Sequence, residues 1–186
     1  MAKAILSAMF SGLRGRLGGV VFRQRGDLTV AGPRPRTTGR ASTAAQLAQR
    51  ERFRRATTYG RSVLADPALR AIYEARSGQR GSVYQTALTD AIRSPVIDAL
   101  ETAAFRGAIG DPIVVRAHDD FAVTGVTVAV KDAVGTTLEQ GPAEAAAGAW
   151  TYAATRSVAP GTTVTIEVTA VDQPGNAASL SRPVTV

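Results

Sequence analysis

At Gly110 the apolar pattern of this chain changes period, from about 3.6 residues, that of a helix, to about 2, that of a strand. The part before that point must bury a stripe and the part after it a face, so neither an all-helical nor an all-strand fold fits. Downstream, residues 113–115, 126–130, 150–154 and 164–171 alternate and are rich in β-branched side chains. Turns are marked at residues 132–135, at Pro160 and Gly161, and at residues 173–176. About five to seven short strands at this spacing predict a small antiparallel sandwich over residues 110–186. Val164, Ile166 and Val168 fall on its core side, and Trp150 and Tyr152 share a face as core residues.

Residues 41–109 predict helices. Ser42 or Thr43 caps one that runs to about Leu64, with Leu47, Phe53 and Tyr59 among its apolar positions. Asp66 followed by Pro67 opens a second over residues 68–75, closed by Ser77 and Gly78. A third begins near Ser82 and carries Val83, Tyr84, Ala87, Leu88 and Ile92. Ser94 and Pro95 restart the pattern through Val96, Ile97, Leu100 and Ala104, ending before Gly107. Such amphipathic pieces pack as a small bundle.

Residues 1–40 differ again, punctuated by Gly12, Gly15, Gly18, Gly19, Gly26, Gly32 and Gly39, with Pro33 and Pro35 near the end. Within them Val20, Val21 and Phe22 face Leu28, Thr29 and Val30 across Arg25, Gly26 and Asp27, which predicts a short hairpin. Two strands alone are marginal in water, so this arm is expected to order against its own helices or a neighbouring subunit.

Charge follows the same division. Residues 1–61 hold 13 Lys+Arg against Asp27 and Glu51, residues 62–109 are neutral, and residues 110–186 carry a net −4. Only Lys3 and Lys131 of the 22 cationic residues are lysine, and arginine offers planar bidentate contacts to carboxylate or phosphate. With no cysteine, disulfides, thiolate metal sites and cysteine nucleophiles are excluded. The opening segment has only a short apolar stretch, residues 4–10, broken by Ser7 and followed by Arg14 and Arg16, a poor secretory signal. No run approaches the ~20 apolar residues of a membrane span.

The strand section resembles a bacterial immunoglobulin-like module. The residues that carry the likeness are Asp119, Asp120, Phe121 and Val123 before residues 126–130, then Gly148, Ala149 and Trp150, then Ala170, Val171 and Asp172 with Gly175 and Asn176. It covers residues 110–186 and implies an immunoglobulin-like sandwich serving adhesion, spacing or assembly. The first section is similar to uncharacterised bacterial and phage-associated proteins, through residues 18–23 and 46–53. That similarity implies an accessory structural protein of a virion or phage-derived particle, and it supplies no mechanism.

Of the residues that carry chemistry, the arginine series Arg14, Arg16, Arg23, Arg25, Arg34, Arg36 and Arg40 is the main functional candidate. A Gly/Arg/Pro arm can thread into an acidic groove on a protein, follow a phosphate backbone with counterion release, or stay a solvated tail. Phe22 is the only ring among these arginines, so stacking on single-stranded bases is poorly supported. Arg50, Arg52, Arg54 and Arg55 share one helix that lacks the tight preceding turn of a groove-reading motif, and Arg54 and Arg55 can pair with Glu51. Arg25, Gly26 and Asp27 match an integrin-binding tripeptide but are better explained as a turn.

His118, Asp119 and Asp120 are metal-like in type. Neighbouring strand residues point to opposite faces, however, so without a sharp bend they cannot converge. Asp119 or Asp120 could join Asp172 to hold calcium, but a turn role is favoured because the loop is not acidic enough for six oxygens. A single histidine and the absence of a phosphate-binding loop leave catalysis unsupported.

The expectation is therefore an α+β chain in three parts: a basic arm over 1–40 with a hairpin, a helical section over 41–109, and an immunoglobulin-like sandwich over 110–186. It is read as a non-enzymatic assembly protein, a homo-oligomer or part of a larger particle. Its contacts would run through Arg14, Arg16, Arg23, Arg25, Arg34, Arg36, Arg40, Arg50, Arg54 and Arg55, with Val20, Val21, Phe22, Leu28 and Val30 as assembly strands. The alternative is a nucleic-acid packaging protein using the same arm. No catalytic residue, cofactor, metal, membrane or small-molecule substrate is expected. The chain is expected to be soluble and cytoplasmic when made, with a virion or phage-like particle as a further setting.

Overall fold

A computed structural model describes residues 13–25, 28–35, 41–77 and 81–186, and the chain divides into two compact units, Met1–Thr43 and Ala44–Val186. The first unit holds an antiparallel sheet of β1 (Gly15–Leu17), β2 (Val20–Arg25) and β3 (Leu28–Pro33), in that order. The expected hairpin is thus β2 with β3, and β1 adds a third strand. Gly18, at φ 57°, opens the two-residue turn that brings β1 onto β2, a backbone state that favours glycine. The turn at Gly26 and Asp27 lies outside the described residues, as do Gly12, Gly39, Arg36 and Arg40.

In the second unit come α1 (Ala44–Ala65), α2 (Pro67–Ser77) and α3 (Val83–Ile92). Their starts are chemically fixed. Asp66 Oδ1 accepts from the Ala68 and Leu69 amides at 2.8 and 3.2 Å, and Ser82 forms a reciprocal capping box with Gln85. Helix α1 approaches α3 closely at Gly60, where a Cβ would lie 2.9 Å from the Tyr84 ring. Val63, Tyr73 and Ala87 form the helical core, with Tyr59, Leu69, Val83 and Phe121 packed around it. Burial on α1 begins only at Ala56, so Leu47 and Phe53, expected on its apolar face, stand about half exposed at 54% and 52%.

The expected fourth helix is a strand. Residues 96–101 form β4 (Val96–Glu101), paired antiparallel with β5 (Pro112–His118) from Val96 opposite His118 to Glu101 opposite Val114. Ser94 and Pro95 suit a helix start, but a residue before proline also favours extended backbone. The β5 edge decides between the two by offering hydrogen bonds and a core position for Leu100. A bulge between Ile97 and Ala99 breaks strict alternation and so hides the strand's period.

Completing the unit are β6 (Val123–Lys131), β7 (Thr137–Pro142), β8 (Glu144–Ala146), β9 (Ala149–Ala153), β10 (Thr163–Asp172) and β11 (Ala177–Thr185). Two four-stranded antiparallel sheets, ordered β11-β10-β6-β7 and β4-β5-β9-β8, enclose one core. The molecule is accordingly an α+β fold dominated by a β-sandwich. Val164, Ile166, Val168 and Ala170 of β10 are fully buried against Ile113, Val115, Val126, Val128 and Val130. Each such valine or isoleucine contributes about 1.5–3 kcal/mol by leaving water. Tyr152 lies in this core with its hydroxyl 3.1 Å from Glu139 Oε2, and Trp150 is half-buried at its border.

Gly107 shows how tightly the sandwich is closed. Its φ is 86°, its carbonyl accepts from the Val158 amide, and a Cβ there would lie 2.7 Å from the Val158 carbonyl oxygen. Gly107→Ala is expected to lower stability by about 1–3 kcal/mol, read as a lower urea midpoint at unchanged slope.

Candidate functional site

The first unit turns a list of arginines into a surface. Directly opposed residues in an antiparallel pair share a face. Arg16 opposes Val21 and Arg23 opposes Val30, so Arg16, Arg23 and Arg25 lie together on one face of the three-stranded sheet. Leu17, Val20, Phe22, Ala31 and Pro33 lie on the other, beside a Thr29 to Gln24 hydrogen bond of 3.1 Å. Arg14, Arg16, Arg23, Arg25 and Arg34 are all exposed, and none of them meets a carboxylate among the described residues. Leu17 is 71% exposed, and Val20 and Val30 are also open to solvent. Of the expected assembly strands, Val21 and Phe22 are half-buried, and Leu28 pairs with Arg25 in the ladder.

The helical arginines are arranged differently. Arg54 holds Glu51 bidentately, at 2.9 Å from Nε and 2.7 Å from Nη2, and Arg55 Nε reaches the same carboxylate at 3.4 Å. The hydrogen bond from Arg54 leads in holding the Glu51 carboxyl below its usual range. These are solvent-screened pairs of little net worth. Arg50 and Arg52 remain exposed on the same helix.

A second constellation, missed in the sequence, sits where the helices meet the sandwich. Phe121, in the loop after β5, stacks on Tyr73 of α2 with ring centroids 4.3 Å apart, and the Arg76 guanidinium lies over the Phe121 ring, 4.9 Å from its centroid, and donates to the Phe121 carbonyl. The Tyr73 hydroxyl donates to Asp90 Oδ2 and lies 3.0 Å from the Tyr59 hydroxyl. Asp90, near the end of α3, is 1% exposed. Asn176, after β10, donates to the Arg93 carbonyl at 2.8 Å, and Arg93 pairs with Asp120 at 3.1 Å.

The bend after His118 lets what a straight strand forbids. One carboxylate oxygen each from Asp90, Asp119 and Asp120 lies within 4.8 Å of the others. Asp119 keeps its turn role through Oδ2, which accepts from the Phe121 and Ala122 amides at 3.0 and 3.1 Å. Asp172, considered beside Asp119 or Asp120 as a calcium ligand, instead gives both oxygens to Asn176, at 2.6 and 2.7 Å. His118 does not join the cluster's chemistry; its Nδ1 lies 2.7 Å from Asp98. Asp90 was not singled out because nothing local distinguishes an aspartate near a helix end from a solvated one; only the fold brings it against residues about thirty positions on.

Burial pushes the Asp90 carboxyl up to about 7, opposed by the Tyr73 hydrogen bond and reinforced by the negative charges of Asp119 and Asp172. Burial also raises Tyr73 and Asp172. The folded chain therefore binds a proton at Asp90 that the unfolded chain has released, and this contribution is full at low pH and lost as pH rises toward about 7. In chelator, unfolding free energy should fall between about pH 4 and 7 with a slope of at most about 1.4 kcal/mol per pH unit from this group. Asp90→Asn, which keeps an acceptor for Tyr73, should flatten that slope in urea titrations across the same range.

No protein-family model matches the chain, and no curated protein matches it. Among solved structures, CopC from Methylosinus trichosporium OB3b is similar at 15% identity and TM-score 0.38, over 50% of this chain and 93% of its own. An engineered protein is similar at 21% identity and TM-score 0.36, over 55% of this chain and 26% of its own. A lipoprotein from Bacteroides thetaiotaomicron is similar at 17% identity and TM-score 0.28, over 50% of this chain and 78% of its own.

Proposed function

We propose that this chain is a non-enzymatic structural component that docks through its basic first unit onto an acidic surface, on a neighbouring subunit or on a larger virion- or phage-like particle. In this reading the second unit is the body being assembled, and its sandwich is of the immunoglobulin-like kind. One observation carries the proposal: residues 1–43 hold eight Lys+Arg and one carboxylate while residues 44–186 hold fourteen of each, so the whole formal +7 falls in the first unit. A charge this localised steers association rather than solubilising the chain at large.

The sheet supplies the contact as well as the attraction. Its arginine face is free to pair with carboxylates, its other face exposes Leu17 and Val20, and β3 ends the ladder as an edge to which a partner strand can add. Leu47 and Phe53 on α1 extend the exposed apolar surface of the second unit. Five exposed arginines also suit phosphate, which keeps nucleic-acid packaging as the second reading.

Size exclusion with light scattering, at low and high salt and with and without nuclease, separates these readings. The full chain is expected to form a species larger than a monomer that survives nuclease and dissociates in high salt, and R16Q/R23Q/R25Q is expected to run as a monomer. A species that collapses on nuclease treatment assigns the arginine face to nucleic acid. A triple variant that assembles like the parent removes that face from the contact.

A further inference from the structure

The junction of helices and sandwich contains two carboxylate oxygens that no donor among the described residues satisfies. Asp90 Oδ1 and Asp119 Oδ1 are both buried and both lack a hydrogen-bond partner among the described residues. Asp90 is 1% exposed, and its other oxygen is fixed by the Tyr73 hydroxyl, which sets the orientation of the carboxylate. Asp119 is held as firmly by the Phe121 and Ala122 amides on Oδ2. A buried carboxylate oxygen without a donor loses its hydration and regains nothing, and two of them side by side repel as well. Such an arrangement calls for a positive partner, either the proton that Asp90 holds below about pH 7 and can share with Asp119, or a cation.

We propose that Asp90, Asp119 and Asp120 bind a calcium ion that clamps α3 to the loop leaving β5. One oxygen from each lies within 4.8 Å of the others, so a single point falls within about 2.8 Å of all three, and a small closing of the triangle brings them to the calcium–oxygen distance of about 2.3–2.6 Å. The oxygens are hard ligands, which suit calcium over zinc or copper, and neither cysteine nor a second histidine exists in the chain to favour a softer metal. Asp120 is exposed, so water reaches that side and can complete the six or more oxygens that calcium takes. Arg93 offsets part of the charge through Asp120 but reaches neither orphan oxygen. Asp172 adds field without ligation, since Asn176 occupies both its oxygens. The ion thus joins two elements that otherwise meet through the Arg93–Asp120 pair and through Tyr73, which touches both Asp90 and Phe121. The site is independent of the docking proposed above.

Terbium(III) tests this directly, because it replaces calcium and is excited through a nearby tyrosine, here Tyr73. The full-length, chelator-treated chain should show tyrosine-sensitised terbium emission that calcium displaces, and millimolar calcium should raise its thermal midpoint. Asp119→Asn, which keeps an oxygen for the turn amides, should lose both effects. Asp120→Asn, at an exposed position where folding is not at stake, should weaken terbium binding about tenfold or more. Absence of sensitised emission and of a calcium-dependent midpoint in the parent chain would overturn the site and leave a shared proton as the partner of the two oxygens. Retention of both effects in Asp119→Asn and Asp120→Asn would place the ion elsewhere and overturn it equally.

Discussion

The second unit depends on one joint, the contact of Tyr73 with Phe121 and Asp90. The ring stacks on a residue that belongs to the sandwich's loop, and the hydroxyl reaches a carboxylate on α3. A hydroxyl donor beside a buried acid serves both groups at once: it spares Asp90 an unpaired oxygen and spares Tyr73 a dry hydroxyl. Helices α2 and α3, at 11 and 10 residues too short to be stable alone, thereby gain a wall to pack on. Asn176 closes the same joint from the sandwich side by bonding to the Arg93 carbonyl at the end of α3.

What was legible in the sequence was local. Asp66 before Pro67 and Ser82 before Gln85 announce helix starts because the capping atoms are near in sequence, and β10 announces itself by strict alternation over ten residues. Residues 96–101 were not legible, since proline tolerates either reading and the bulge erased the period. Strands β7, β8 and β11 were missed for a related reason. Thr137–Pro142, Glu144–Ala146 and Ala177–Thr185 have weak strand composition, β11 even carries Pro183, and their pairing is imposed by the neighbouring strands. The acidic cluster was half legible: Asp119 and Asp120 were noticed by type, while Asp90 required the tertiary fold. The arginines were visible as a series, and only the ladder register sorted Arg16, Arg23 and Arg25 onto one face.

Electrostatics divides the chain where compactness does. The first unit is small, strongly basic and, among its described residues, poor in buried side chains, whereas the second balances its charges and holds both cores. Within the second unit the negative groups are concentrated rather than spread, with Asp90, Asp119, Asp120 and Asp172 close enough for their charges to be felt together. Local excess of one sign at two places, rather than net charge, marks where the proposed contacts of this protein fall.

The course of β4 fixes what can be exchanged or inherited as a piece. The chain enters the sandwich through Val96–Glu101, directly after the helices, and sends Leu100 into the sandwich core before the alternating pattern begins. A cut at residue 110 would strip β5 of a neighbour and open the core at Leu100 and Phe105. The β-sandwich is therefore no interchangeable cassette that starts where its sequence signature starts. The segment that keeps the sandwich whole starts no later than Val96 and, through the Phe121 and Asn176 contacts, takes in the helices, so a join that respects the fold falls between Thr43 and Ala44.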